Sequence, residues 1–125
     1  MATFNKYVES RNDKIWVWLD DIRPMPGNFD AHVKTAQEAI ELLKKGNVGE
    51  ISLDHDLGMS AEDGYADPQT GYTVAKWIEE AAYHNRIPRM QMRVHTDNPE
   101  GRRNMVAALQ NAFKFWRTHE EREGQ

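Results

Sequence analysis

The stretch EISLDHDLG, residues 50–58, joins a short apolar run to three consecutive ionisable residues, Asp54, His55 and Asp56. The apolar run predicts a buried strand over residues 50–54, after which the chain turns. Ionisable side chains are rarely buried unless they are paired. Three of them at the end of a buried strand therefore indicate a functional site, and the rest of the chain bears on what that site binds.

Apolar periodicity predicts three more strands and three helices along the chain. The predicted strands are residues 14–19, 31–35 and 90–96, and the predicted helices are residues 35–47, 71–85 and 98–117. This alternation is typical of an α/β fold with a doubly wound, mainly parallel sheet. The runs at 14–19 and 50–54 are the most apolar, so we expect them at the centre of the sheet.

Length and composition limit the classes of protein to which the chain can belong. Residues 1–125 fit one α/β domain, with a core over about residues 14–117 and a polar tail that is expected to fray. Without cysteine, the chain has neither disulfides nor a thiolate metal site. A formal net charge of −4 argues against duplex DNA as a partner. No apolar run reaches the ~20 residues that span a membrane, and no signal peptide is evident, so we expect a cytoplasmic protein with no membrane contact.

The residues that follow the predicted strands carry most of the candidate chemistry, because the carboxyl ends of parallel strands share one edge where ligands bind. They are Asp20, Asp21 and Arg23 after the first strand, Asp54, His55 and Asp56 after the third, and His95 and Thr96 after the fourth. Clustered carboxylates repel one another, and a divalent cation offsets that repulsion. The predicted metal ligands are Asp20, Asp21, Asp54 and Asp56. Carboxylate and water ligands suit Mg²⁺ or Mn²⁺, so one of these is the expected cofactor.

Each of these aspartates alone would more often be a loop residue or a helix cap, and their agreement across distant segments favours a metal site. His55 and His95 lie at the same edge and are predicted to be catalytic together with Asp54. The remaining histidines, which have no such context and are predicted at the surface, are His32, His84 and His119. The tryptophans are predicted to belong to the core.

A second stretch, HTDNPEGRRN at residues 95–104, predicts a phosphate site. Asn98 is a good N-cap and Pro99 a good first residue for a helix, whose free N–H groups attract phosphate. The alternative is a plain capped helix with exposed arginines, and adjacency to the acidic edge favours the phosphate site. The residues predicted to bind phosphate or substrate are Thr96, Asn98, Arg102, Arg23 and Tyr72.

The order strand-Asp-Asp, strand-Asp and strand-Thr resembles the receiver domains of two-component response regulators. The resemblance implies that Asp20 and Asp21 form an acidic pair that binds Mg²⁺ together with Asp54. It also implies that Asp54 accepts a phosphoryl group whose oxygens Thr96 contacts. The chain departs from that pattern in two respects: a loop with prolines at residues 20–28 replaces the first helix, and no clear fifth strand ending in lysine follows.

Four motifs give a closer match, to a receiver-like family named for cyclic-phosphate processing. They are WLDDIRP at 18–24, ISLDHDLG at 51–58, TGYTVAKWI at 70–78 and VHTDNPEGRRNM at 94–105. The resemblance implies a metal-dependent phosphoesterase whose partner is a cyclic-phosphate-bearing RNA end or a small cyclic nucleotide. Two alternatives stay open: a receiver-type phosphoacceptor domain, and a module that binds the cyclic nucleotide without cleaving it.

The hypothesis of a phosphoesterase assigns a role to each candidate residue. One of His55 and His95 takes a proton from water, and the other gives a proton to the leaving sugar oxygen. Asp56 either completes the metal site or orients His55. Arg102 and Thr96 stabilise the negative charge that develops on the reacting phosphate.

Overall fold

A computed structural model describes residues 3–4, 14–58 and 69–124 of the chain, with the backbone alone at 3–4. The strands are β1 (Thr3–Phe4), β2 (Ile15–Leu19), β3 (Ala31–Val33), β4 (Val48–Leu53) and β5 (Gln91–Val94), and the helices are α1 (Ala36–Lys44), α2 (Gly71–Tyr83) and α3 (Pro99–Glu123). The sheet order is β1-β3-β2-β4-β5, and all pairs are parallel except β1 with β3. A parallel sheet of four strands with flanking helices confirms the predicted receiver-like α/β fold.

Alternate residues of the two central strands form the core against the helices. The register pairs Val17 with Ile51 and Leu19 with Leu53, and all four side chains are fully buried. Burial of each such side chain contributes about 1.5–3 kcal/mol to folding. The prediction that β2 and β4 lie at the centre of the sheet is therefore confirmed.

The intervening residues of β2 and β4 lie on the opposite face of the sheet, because side chains alternate along a strand. Trp18 pairs there with Ser52. The loop of residues 20–30 contains no helix, as predicted, and supplies Phe29 to this face. Phe29 packs edge-on against the rings of Trp16 and Trp18, with centroid distances of 5.6 and 5.4 Å. An aromatic cluster thus replaces part of the packing that a helix would provide.

The structure adds a fifth strand that the sequence did not predict. β1 lies at the edge of the sheet, where Thr3 pairs with His32 and Phe4 with Ala31. Two residues are too few to show an apolar alternation, so the pattern could not reveal this strand. The prediction that no strand follows the fourth parallel one is confirmed for the described residues, since α3 occupies residues 99–123.

Helix α3 continues through Glu123, so the predicted end of this helix at residue 117 is wrong. His119 Nε2–H donates to the carbonyl oxygens of Ala82 and Tyr83, at 2.9 and 3.0 Å. These bonds tie the last turns of α3 to the end of α2, and a polar sequence pattern does not predict such a contact. In the part of the chain that the structure describes, no helix is both long and apolar enough to cross a bilayer.

The surface prediction for the three remaining histidines is right for one of them. His84 is exposed, whereas His32 and His119 are partly buried. His32 Nε2–H donates to the carbonyl oxygen of Asp20 at 2.8 Å. Both partly buried rings therefore satisfy backbone carbonyl groups, which is a common structural use of histidine that the sequence context does not show.

The amino terminus of α2 packs directly on the end of β4. Gly71 N–H donates to the carbonyl oxygen of His55 at 2.9 Å. A Cβ atom at Gly71 would lie 1.8 Å from the carbonyl oxygen of Asp54, so only glycine allows this approach. Helix α2 therefore fixes the backbone on which Asp54 and His55 stand.

Replacement of Gly71 is expected to destabilise the fold, because an added methyl group must push α2 away from β4. Gly71→Ala should lower the free energy of unfolding by about 1–3 kcal/mol or more. Gly27→Ala is the matched control: nothing lies within 4 Å of a Cβ atom there. Urea unfolding followed by circular dichroism measures both changes. Equal stability of the two variants would contradict the close approach.

Candidate metal and phosphate site

The adjoining ends of β2 and β4 bring three carboxylates together. Leu19 pairs with Leu53, and Asp54 N–H donates to the carbonyl oxygen of Leu19 at 3.0 Å. Asp20 and Asp54 therefore leave neighbouring strands side by side. With Asp21 they form the acidic trio, in which one carboxylate oxygen from each residue lies within 4.8 Å of the other two.

Burial and repulsion act differently on the members of the acidic trio. Burial and the charges of Asp20, Asp54 and Asp56 raise the pKa of Asp21 above its ordinary value. Oδ1 of Asp21 is buried and has no hydrogen-bond partner among the described residues. Burial also acts to raise the pKa of Asp20, but donors from the following loop and nearby side chains outweigh it and hold that pKa below its ordinary value.

The acidic trio fits a divalent cation. Carboxylate oxygens are the ligands that hard divalent cations prefer, and Asp21 offers a buried oxygen that nothing described satisfies. A bound cation would also cancel the repulsion that raises the pKa of Asp21. The trio is therefore a candidate metal site, as in receiver domains. Asp56, the fourth predicted ligand, is not part of it, and its carboxylate is 68% exposed.

Arg23 contacts two members of the acidic trio. Its Nη1 lies 3.2 Å from Oδ2 of Asp20 and 3.6 Å from Oδ1 of Asp54. Its Nη2 lies 2.6 Å from Oδ2 of Asp97, beyond the end of β5. The guanidinium thus offsets part of the negative charge of Asp20 and Asp54, and no cationic side chain of the described residues pairs with Asp21. It also stands where it can pair with phosphate oxygens.

His55 directly follows Asp54 in the chain, and one of its ring nitrogens is engaged. Its Nδ1 is 2.9 Å from Oδ1 of Asp56. A carboxylate only accepts, so Nδ1 carries the proton and Nε2 of the neutral ring keeps a lone pair. Asn98, the N-cap of α3, extends its amide nitrogen to 3.5 Å from the same Asp56 oxygen. Nε2 of His55 has no partner among the residues described. Of the two roles predicted for Asp56, the geometry favours the orientation of His55.

Gly101 allows the His55 ring to lie against the first turn of α3. A Cβ atom at Gly101 would lie 2.5 Å from Cγ and 2.6 Å from Cδ2 of that ring. Any side chain at this position would displace the imidazole. The start of α3 therefore helps to fix the orientation of His55 toward Asp56.

His95 differs from His55 in that both of its ring nitrogens are engaged. Nε2 lies 3.0 Å from Oδ2 of Asp20, and Nδ1 lies 2.7 Å from Oγ of Ser52. Burial lowers the pKa of His95, and the nearby Asp20 only partly opposes that effect. A carboxylate only accepts, so the nitrogen that faces Asp20 carries a proton. Nε2–H donates to Asp20, and Nδ1 accepts from the Ser52 hydroxyl.

A cavity of about 250 Å³ lies at the acidic trio. Asp20 and Asp54 line it, together with Arg23 and Thr96. Thr96 is buried, and its hydroxyl oxygen accepts from the N–H of Asn98 at 3.3 Å, so the hydroxyl hydrogen can turn toward the cavity. Carboxylates, a guanidinium and a hydroxyl therefore face one small space, as a phosphate bound beside a metal requires.

Three of the residues predicted to bind phosphate or substrate do not line this cavity: Asn98, Arg102 and Tyr72. Arg102 is exposed and lines a separate groove between β5 and α3, together with Met92 and Val94. Tyr72, in the first turn of α2, is 37% exposed and does not line the cavity at the trio. The structure thus brings Arg23 and Thr96 together at the cavity, joins Asn98 to Thr96 through its backbone N–H, and leaves Arg102 and Tyr72 apart from them.

Sequence reasoning missed four residues that shape the site: Trp18, Ser52, Gly71 and Gly101. The pattern assigns Trp18 to the core, but it stacks on the His95 ring at a centroid distance of 3.7 Å. The sequence contained a feature that could have identified each of the other three residues. Ser52 is a hydroxyl within an apolar strand, and the two glycines stand in the first turns of helices, where glycine is unfavourable.

Asp21→Asn is expected to have opposite effects with and without metal. In the metal-free protein it removes a charge that burial and neighbouring carboxylates disfavour, so its melting temperature should exceed that of the wild type. Mn²⁺ at about 100 times its dissociation constant should then stabilise the wild type by about 2.7 kcal/mol and the variant by less.

Differential scanning fluorimetry at neutral pH, with and without Mn²⁺, measures this crossover. Glu41→Gln is the control, because this exposed carboxylate belongs to α1 and should leave the response to Mn²⁺ unchanged. The same gain in all three proteins would exclude the acidic trio as the metal site.

The comparisons with known proteins agree with this geometry. The family model of the cyclic-phosphate processing receiver domain matches residues 15–111. No curated protein and no solved structure matches the chain. The matched range starts at the first residue of β2 and ends within α3, so it includes the acidic trio, both site histidines and the start of α3. The chain therefore belongs to the cyclic-phosphate processing receiver domain family.

Proposed function

We propose that this protein is a metal-dependent phosphoesterase that opens a cyclic phosphate by hydrolysis. The observation that carries the proposal is that Asp54 of the acidic trio, which fits a divalent cation, is followed directly in the chain by His55, whose Nε2 has no described partner. Membership of a family associated with cyclic-phosphate processing supports the substrate class. We take Mg²⁺ or Mn²⁺ as the cation, and a 2′,3′-cyclic phosphate at an RNA end or on a free nucleotide as the substrate.

The phosphate would bind in the cavity at the acidic trio. Arg23 and the hydroxyl of Thr96 line that cavity and can donate to phosphate oxygens. Asn98 caps α3 nearby, so the positive end of the helix dipole adds to their effect. Arg102 and Tyr72 lie outside the cavity, where they are better placed to contact parts of the substrate beyond the phosphate.

The metal would be held by the three carboxylates of the trio. A cation bound there neutralises phosphate charge and lowers the pKa of a coordinated water. Arg23 already offsets part of the charge on Asp20 and Asp54, so the guanidinium has to share these carboxylates with the metal or turn toward the phosphate. If the guanidinium turns toward the phosphate, phosphate binding would be coupled to occupation of the metal site.

We assign to His55 the role of taking the proton of the attacking water, because its Nε2 has no partner among the described residues. Its Nε2 accepts that proton, and Asp56 stabilises the resulting imidazolium through Nδ1–H. The water oxygen forms a new bond to phosphorus, and the bond from phosphorus to one ribose oxygen breaks. That oxygen takes up a proton from solvent and leaves as a hydroxyl, and the His55 imidazolium returns its proton to solvent. The net change is the addition of one water, and the product is a phosphomonoester.

The same cavity also supports a second function, that of a phosphoacceptor. Asp54 and Thr96 both line it, and these are the residues to which the receiver resemblance assigns the acceptor and the phosphate contact. Oδ1 of Asp54 accepts from the N–H of His55 at 2.9 Å. In this alternative the carboxylate of Asp54 attacks the phosphorus of a phosphodonor such as acetyl phosphate, acetate leaves as its bond to phosphorus breaks, and Asp54 carries an acyl phosphate. Hydrolysis of a cyclic phosphate does not occur.

Mass spectrometry of a substrate terminus separates the possible functions. The purified protein is incubated with an oligoribonucleotide that ends in a 2′,3′-cyclic phosphate, in Mg²⁺, Mn²⁺ or chelator. Metal-dependent gain of one water that is lost in Asp54→Asn supports the esterase. A phosphoryl group on Asp54 after treatment with acetyl phosphate, without hydrolysis, supports the phosphoacceptor. Binding without either reaction, unchanged in Asp54→Asn, supports a binding module.

His55→Ala is expected to lower kcat by about 10²–10⁴-fold, the usual contribution of a general base, while the affinity for Mn²⁺ stays near that of the wild type. His84→Ala is the matched control, because His84 is exposed in the turn after α2 and should keep full activity. Equal turnover by the two variants would remove His55 from the mechanism.

A further inference from the structure

The His95 ring is held on three sides, by groups from the end of β2 and from β4. Ser52 of β4 bonds Nδ1, Asp20 bonds Nε2, and Trp18 of β2 covers one face. The planes of the stacked rings differ by only 6°. To offer a nitrogen to a substrate, the ring would have to give up a hydrogen bond and leave this stack. The geometry therefore disfavours proton transfer by His95.

The Ser52 hydroxyl determines which nitrogen of His95 carries the proton. Ser52 is 3% exposed in the middle of the sheet, and a buried hydroxyl needs a hydrogen-bond partner. By donating to Nδ1 it leaves the proton on Nε2, which faces Asp20. Trp18 pairs with Ser52 across the strands, so the residue that covers the ring and the residue that orients it are neighbours in the sheet.

The other end of this arrangement fixes the carboxylate of Asp20. Its Oδ1 accepts from the backbone N–H groups of Ile22 and Arg23, both at 2.8 Å. Its Oδ2 accepts from His95 Nε2–H, with a weaker contact to Arg23 at 3.2 Å. Donors on both oxygens prevent the carboxylate from rotating. Partners of this kind orient metal ligands and commonly change metal affinity by about 10–100-fold.

We propose that Ser52, His95 and Asp20 form a hydrogen-bonded chain in which His95 is a positioning residue that orients Asp20 for the cation and transfers no proton. This replaces the proton-transfer role that the sequence alone suggested for His95. The inference rests on the proposed function only for its activity readout, since the affinity for the cation is measured separately.

Two substitutions of His95 separate positioning from proton transfer. In His95→Gln the amide nitrogen can take the place of Nε2 and still donate to Asp20, but glutamine cannot act as a general acid or base. In His95→Asn the amide stops at the place of Nδ1 and cannot reach Asp20. Mn²⁺ affinity by calorimetry and turnover of the cyclic phosphate are measured for both variants.

We expect His95→Gln to stay within about threefold of the wild type in Mn²⁺ affinity and turnover, because the donor to Asp20 is kept. His95→Asn should lose roughly 10–100-fold in Mn²⁺ affinity. Loss of turnover in His95→Gln with intact Mn²⁺ affinity would overturn the proposal and identify His95 as a proton-transfer group. Unchanged Mn²⁺ affinity in His95→Asn would overturn it as well.

Ser52→Ala tests the hydrogen bonds from Ser52 to His95 and on to Asp20 without changing the His95 ring. It also provides a test if a His95 variant does not fold. Nitrogen-15 NMR of the metal-free wild type should show His95 protonated at Nε2 alone, and the variant should show a mixture of tautomers. A ring protonated at Nδ1 in the wild type would contradict the proposed hydrogen bonds.

If the wild type binds Mn²⁺ but opens no cyclic phosphate, the proposed function fails. The Mn²⁺ affinities and the tautomers of His95 still decide whether His95 is a positioning residue.

Discussion

Three carboxylates within 4.8 Å of one another repel, and most of the structure around them either holds them in place or offsets that repulsion. The parallel pairing of β2 with β4 places Asp20 and Asp54 side by side. Arg23 approaches from the following loop and supplies a positive charge to both. Among the described residues Asp21 receives no such charge; burial and the neighbouring carboxylates raise its pKa, and a bound cation would offset that repulsion.

The reduced form of the fold accounts for how the site is built. The loop of residues 20–30 takes the place of a first helix and supplies both Phe29, which packs on the sheet, and Arg23, which contacts the acidic trio. No strand follows β5 within the described residues, so no lysine at the end of such a strand is present there. The positive charge beside the acidic trio comes from Arg23 of this loop. Glycines at 71 and 101 let the starts of α2 and α3 approach Asp54 and His55 closely. The departures from the receiver pattern therefore lie at the site itself.

The two site histidines show why equal sequence signals lead to different roles. Each follows a strand and each lies next to a residue with an oxygen-bearing side chain, so the sequence pattern treated them alike. In the structure His55 bonds Asp56 through one nitrogen only, whereas His95 bonds Asp20 and Ser52 through both. The difference depends on Ser52, which precedes His95 by 43 residues in the chain and meets it across the sheet. Local context carries no information about such a partner.

The alternation of strands and helices, the central position of β2 and β4, and the meeting of Asp20, Asp21 and Asp54 at one edge follow from apolar periodicity and strand polarity. Both are properties of short segments, so the sequence by itself determined the fold class and the location of the site. Tertiary structure decided which side chains face the cavity. Arg102 shares the start of α3 with Asn98 yet lines another groove, because the direction of a helical side chain depends on how the helix packs. The partners of His95 and the length of α3 were likewise decided by contacts between segments distant in the chain.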